Sequence, residues 1–258
     1  MQWTTLFKKE MLENWRNFKW VWVPLVMILI AVVDPISSYY LPQIIESVGG
    51  MPEGAVFEMP EFAPSDVVMM SLSQISSLGV LVIALMSMGT ISSERKSGVS
   101  ELILVKPVSY HNYITAKWAS LLLLVWTAFF LGMLGSWYYV NILFGELSFL
   151  TLLAIVFYYG LWLTLVISLS IFYNTVFKTA GLVAFMTIIT IMLMSVITQV
   201  FGHILEWSPN NISEYIQEML ITESLPSDLI ATGLVTISII ALLLISSIYT
   251  FKTKELAN

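Results

Sequence analysis

Residues 67–91 read VVMMSLSQISSLGVLVIALMSMGTI, and Ser92-Ser93-Glu94-Arg95-Lys96 follows at once. A charge-free run of that length crosses a hydrocarbon core as a helix, which takes about 20 residues. Bases placed directly after such a run mark an end retained in the cytoplasm. The same grammar repeats along the chain. Apolar windows occur at about 20–41, 67–91, 117–140, 149–173, 179–202 and 228–250. All 11 Lys and Arg residues fall at alternate ends of these windows. Lys8, Lys9, Arg16 and Lys19 precede the first, Arg95, Lys96, Lys106 and Lys117 follow the second, Lys178 follows the fourth, and Lys252 and Lys254 follow the last. The remaining connections carry acids and no base. The expectation is an all-α membrane protein of six transmembrane helices, with N-terminus and C-terminus both cytoplasmic and a single domain over residues 1–258.

Composition supports this reading, since 58% apolar and 11% charged residues lie far from the averages of a soluble domain. The net charge of −6 conceals an asymmetry. Twelve of the 17 acids fall on the expected outer side, so the acidity reflects orientation, and no nucleic-acid partner is expected. With 0 Cys there is no disulfide, thiolate nucleophile or Cys-based metal site. The N-terminal apolar run is too long for a secretory signal and lacks an A-x-A-like cleavage site. Connections of at most about 27 residues leave no room for a soluble catalytic domain. No G-x-x-x-x-G-K-[ST] phosphate loop is present, and no cofactor is expected.

Within the first 22 residues Trp3, Leu6, Phe7, Met11, Trp15, Phe18 and Trp22 recur at steps of three and four, with Lys8, Lys9, Glu10, Glu13, Asn14, Arg16 and Asn17 between them. The spacing predicts an amphipathic helix over residues 1–19 lying in the inner interface. It anchors the first span, and its charged face offers a docking surface to a cytoplasmic partner. After the second span, Ser97 or Gly98 starts a short helix with Val99, Leu102 and Ile103 on its apolar side, and Pro107 stops it after about two turns. On residues alone, a loop of this length favours an ordinary solvated connection.

The order Glu94, Arg95, Lys96, Gly98, Glu101, Leu102, Ile103, Pro107, Ser109, Lys117 between spans two and three resembles the membrane permeases of ABC transporters in the ABC-2 class. The six-span layout and the interfacial helix are similar too. The resemblance implies that residues 94–110 form a coupling helix seated on a separate cytoplasmic ABC ATPase subunit. Glu94, Arg95, Gly98, Glu101, Leu102 and Pro107 would carry ATPase coupling, with residues 3–19 alongside as the connecting helix. It further implies a second permease subunit, as homodimer or heterodimer, a bacterial plasma membrane, and export of a hydrophobic or amphipathic substrate such as an antimicrobial peptide, drug or lipid-like molecule.

Other positions have two readings each. Asp34 precedes Pro35 in the outer part of the first span, where an intramembrane acid is a candidate for function and an Asp-Pro step equally suits a helix that kinks or ends. Gln74 lies with Ser73, Ser76, Ser77 and Gly79 in a polar patch suited to close helix packing or to a translocation surface. Gln199, His203 and Glu206 are spaced to share one helix face; together with Asp34 and Gln74, Gln199 and His203 are the candidates for a path or gate. A lone His beside a Glu is too few ligands for a metal. Ile212, Tyr215, Ile216, Met219 and Leu220 line one side of a short outer helix, which the resemblance makes a cap over the exit. Residues 42–66 read as an irregular acidic loop, and Asn211-Ile212-Ser213 is a sequon. An intramembrane protease built on Gly135-Ser136 would lack a His base within the membrane. An ion-driven carrier or channel is the alternative to an ABC permease, and would show midplane charges or inverted repeats that are not visible here.

Overall fold

The computed structural model describes residues 2–47, 62–99 and 108–256. Among them every regular element is helical. In chain order they are α1 (Gln2–Arg16), α2 (Lys19–Ser47), α3 (Pro64–Gln74) running through a π-helical turn (Ile75–Gly79) into α4 (Val80–Ser87), then α5 (Ser92–Lys96), α6 (Tyr110–Leu143), α7 (Phe149–Val176), α8 (Ala180–Val200), a 3-10 turn (Pro209–Asn211), α9 (Ile212–Thr222) and α10 (Ser227–Leu256). Six stretches are long and apolar enough to cross a membrane: Lys19–Ile44, Pro64–Lys96, Tyr110–Leu143, Phe149–Val176, Ala180–Val200 and Ser227–Lys254. The six expected spans are therefore present.

Helix α7 is the hub, with 61% of its spanning window buried against 17% for α8 and 28% each for α2 and α10. Around it pack α6, α4, α8 and α10, and α2 lies along α6. Indole and hydroxyl groups join these helices where lipid offers no partner. Trp118 and Trp126 on α6 donate to Ser168 and Thr164 on α7, each at 3.0 Å. The Ser87–Ser170 hydroxyl pair at 2.7 Å joins α4 to α7. Gly132 lets α2 come close, since a Cβ there would sit 2.9 Å from the Met27 carbonyl oxygen.

Helix α2 neither ends nor breaks at Asp34-Pro35 but continues to Ser47 with Pro24, Pro35 and Pro42 inside it. Proline at 35 removes the donor that would serve the Ala31 carbonyl four residues back. Ser71 of α3 supplies the replacement, donating to that carbonyl at 2.8 Å and pairing with the Ser136 hydroxyl, also at 2.8 Å. A freed carbonyl inside a span is tolerated where a neighbour satisfies it. Ser136, considered as a nucleophile, is thus part of a buried three-helix junction.

All bases of the described residues gather at one end of the bundle, where α1 and the last turns of α10 both lie. The acids of 141–148 and of the α8–α10 connection lie at the other. These are called the basic and acidic ends. Phe18 sits in the left-handed region at φ 55°, separating α1 from α2, so Trp22 belongs to the span and not to α1.

Candidate functional site

Helix α1 turns part of its polar side inward. Glu10 and Asn14, four residues apart, are its buried residues, while Leu12, Trp15 and Phe18 beside them are more than half exposed. What draws the carboxylate in is Lys117 of α6, only 2% exposed at its side chain, whose Nζ lies 2.9 Å from Glu10 and 3.0 Å from Glu94. Lys9 reaches the same place, its Nζ at 2.6 Å from Glu94, 3.0 Å from Glu10 and 3.4 Å from Glu13. Tyr113 of α6 donates its hydroxyl to the second oxygen of Glu94. Three carboxylates converge within 4.8 Å of one another. Two ammonium groups lie against these carboxylates, so the cluster is an ionic clasp.

The clasp joins α1, α5 and α6 across 85 and 107 residues of sequence. Burial alone would depress the Lys9 ammonium, but its hydrogen bonds to Glu94 and the charges of Glu10 and Glu94 more than offset this and hold it above its ordinary value. Removing one partner from a buried pair of this kind strands the other's charge. Part of the charged face of α1, expected as a docking surface, is therefore spent inside the protein; Lys8, Glu13, Arg16 and Asn17 are what it leaves exposed.

Helix α5 is held from a second side. Asn174, fully buried near the end of α7, accepts from the Ile91 and Ser92 amides at 3.1 and 3.0 Å and donates to the Ser87 and Ser170 carbonyls at 3.0 and 2.9 Å. All four of its hydrogen-bonding positions are used to pin the chain where the second span ends. Arg95 donates to the Thr175 carbonyl at 2.8 Å and lies 5.8 Å over the Phe251 ring, and Lys254 donates to the Val176 carbonyl at 2.6 Å. Both cations thus serve the carbonyls at the C-terminus of α7, where the helix dipole favours positive charge. Phe251 stacks on Tyr113 at 5.3 Å, tying α10 into the same end.

Among the residues singled out by sequence for coupling, Glu94 and Arg95 thus meet neighbouring helices, and Gly98 sits half-buried in a turn at φ 75°. Glu101, Leu102 and Pro107, with the short helix expected there, lie outside the described residues. Glu10, Tyr113, Lys117 and Asn174 were missed as site residues. Their signal was present: polar groups four apart inside an aromatic stripe, and single Lys and Asn residues at the edges of apolar runs.

At the acidic end, Gln74 donates to Asp34 at 3.4 Å, so these two candidates meet between α2 and α3. Gln199, His203 and Glu206 do not share a helix face. Helix α8 ends at Val200, Phe201 leaves helical geometry and Gly202 follows, which puts His203 and Glu206 in turns; all three side chains are exposed. The short helix expected between the fifth and sixth spans is present as α9, burying Ile212, Ile216 and Met219 against α3, α7 and α10. The amide of Asn211 donates to the Leu205 and Glu206 carbonyls at 3.1 and 3.2 Å, so the sequon asparagine shapes the connection.

Six crossing helices, with a polar clasp at one end and a helical cap at the other, make this a multi-pass membrane protein. A family model described as ABC-2 family transporter protein matches residues 4–256, and the chain belongs to that family. Over 252 residues it is 29% identical to a Bacillus subtilis (strain 168) protein described as the uncharacterized transmembrane protein YxlG, and the match covers 97% of each chain. The protein is accordingly a membrane component of a transporter, of a family that works with an ATPase subunit.

Proposed function

We propose that this chain is the permease subunit of an ATP-driven exporter, powered by a separate cytoplasmic ATPase and completed by a second permease subunit. The basic end is cytoplasmic by the distribution of Lys and Arg. The observation that carries the reading is the clasp. It joins the interfacial helix and the third span to the residues that lead directly into 97–107, which is where a push from an ATPase has to enter the spans. Residues 94–110 are the contact, with Gly98, Glu101, Leu102 and Pro107 facing the partner and Glu94 and Arg95 passing motion to α1, α6 and α7. At the outer end, Asp34 and Gln74 line the path, Gln199 and His203 lie beside its mouth, and α9 gates it. The largely apolar bundle suits a hydrophobic or amphipathic cargo such as an antimicrobial peptide, drug or lipid-like molecule.

The test is purification of the tagged chain from its own membrane in mild detergent, with quantitative mass spectrometry of co-purifying proteins. A P-loop ATPase in about equal amount is expected, lost when Glu101 and Leu102 are replaced by Ala. Glu94→Gln is expected to keep the ATPase bound while substrate-stimulated hydrolysis falls. Absence of any ATPase, together with gradient-dependent flux in liposomes, would replace this reading with an ion-driven carrier.

A further inference from the structure

Near the acidic end a cavity of about 240 Å³ opens between the second, fourth and fifth spans, beneath the start of α9. Its floor is formed by Ser76 and Tyr159, whose hydroxyls bond each other. Ser76 belongs to the π-helical turn Ile75–Gly79, a distortion that in helices frequently accompanies function. At the rim stand the hydroxyls of Ser195 and Ser213 and the side-chain amide of Asn210, which make no hydrogen bond to the described residues. The walls include Trp162 and Ile191. No lining residue carries a charge.

We infer that this cavity binds the uncharged, hydroxyl-bearing head group of a single-chain amphiphile. The inference rests on the exporter reading and narrows its substrate class. Three arguments select the ligand. A charged head would enter a site without a counter-charge inside a span, at a desolvation cost nothing there offsets. The lining hydroxyls and amide both donate and accept, so hydroxyl groups on a ligand, which do the same, can use both capacities. A volume below the usual 300–1,000 Å³ of drug-sized sites admits about one ring, so the remainder of the molecule must lie outside. Met192 of α8, which lines the cavity, is more than half exposed, as are Leu193 and Val196 on the same helix, and they offer apolar surface to a chain lying in the lipid.

The experiment uses the purified full chain in phosphatidylcholine nanodiscs and three probes with the same dodecyl tail, below their micellar concentrations: dodecyl glucoside, dodecyltrimethylammonium and dodecyl phosphate. Native mass spectrometry reads occupancy per chain. Dodecyl glucoside is expected to saturate at one per chain and to bind about tenfold more tightly than either charged probe, as two or three added hydrogen bonds allow. Replacing both Ser195 and Ser213 by Ala is expected to remove that advantage without altering the melting temperature, because neither hydroxyl bonds the protein, and Ser213→Trp is expected to fill the cavity. Equal binding of the three probes, tighter binding of a charged one, or an unchanged Ser195/Ser213 double variant would overturn the assignment. The measurement needs no ATPase, so its failure is separable from failure of the exporter reading.

Discussion

The ammonium of Lys117 bridges two carboxylates brought from α1 and α5, and its side chain is almost wholly removed from solvent. Lys117→Met keeps the bulk and deletes the charge, leaving Glu10 and Glu94 to share Lys9. The expected loss is about 3–5 kcal/mol, since a buried pair has been broken and not replaced; thermal unfolding in detergent measures it, and restoring balance with Glu10→Gln in the same chain should recover part of it. Ser71 is the neutral counterpart. Ser71→Ala strands the Ala31 carbonyl freed by Pro35, and about 1–3 kcal/mol of stability should go with it in the same assay. Neither partner was legible in the sequence as a pair. The rule that a proline ends a helix assumes that nothing replaces the lost bond, and the replacement comes from a serine on another span.

Spans are legible because hydrocarbon imposes one demand, a long charge-free run, which composition records directly. Orientation of an amphipathic helix is another matter. Helix α1 shows two stripes in its sequence, but which one faces inward depends on what the rest of the protein offers, and Lys117 offers a cation. The reading of Gln199, His203 and Glu206 failed for a local reason. Periodicity was carried past Gly202, a residue that by itself argues for a helix end. Helix contacts set their own test at Gly132. A methyl there meets main-chain atoms of Met27 at 2.9 and 3.2 Å, which no rotamer change relieves. Gly132→Ala should push α6 from α2 and cost about 1–3 kcal/mol as an overpacked contact, whereas the same change at Gly181, which has open space around it, should leave the melting temperature unaltered.

Seen whole, the molecule is polarised. Charge-assisted contacts tie α1, α5, α6, α7 and α10 together at the basic end, while the acidic end is closed by the apolar underside of α9. Under the proposed exporter reading, the first end has to stay coupled while the second opens. With no native Cys, the orientation is directly testable by single introduced thiols. Glu218→Cys on the exposed side of α9 should react with a membrane-impermeant maleimide in intact cells, and Lys8→Cys on α1 only after the membrane is broken; the reverse pattern would invert the topology. The clasp also imposes a timetable on biosynthesis. Glu10 leaves the ribosome more than a hundred residues before Lys117, and until then its carboxylate has no buried cation to meet. Two spans lie between Glu10 and the helix that carries Lys117, so the burial of Glu10 seen in the folded chain requires that the third span be in place. A chain that stops short of Lys117 has the two acids of the clasp but lacks the buried cation that joins them.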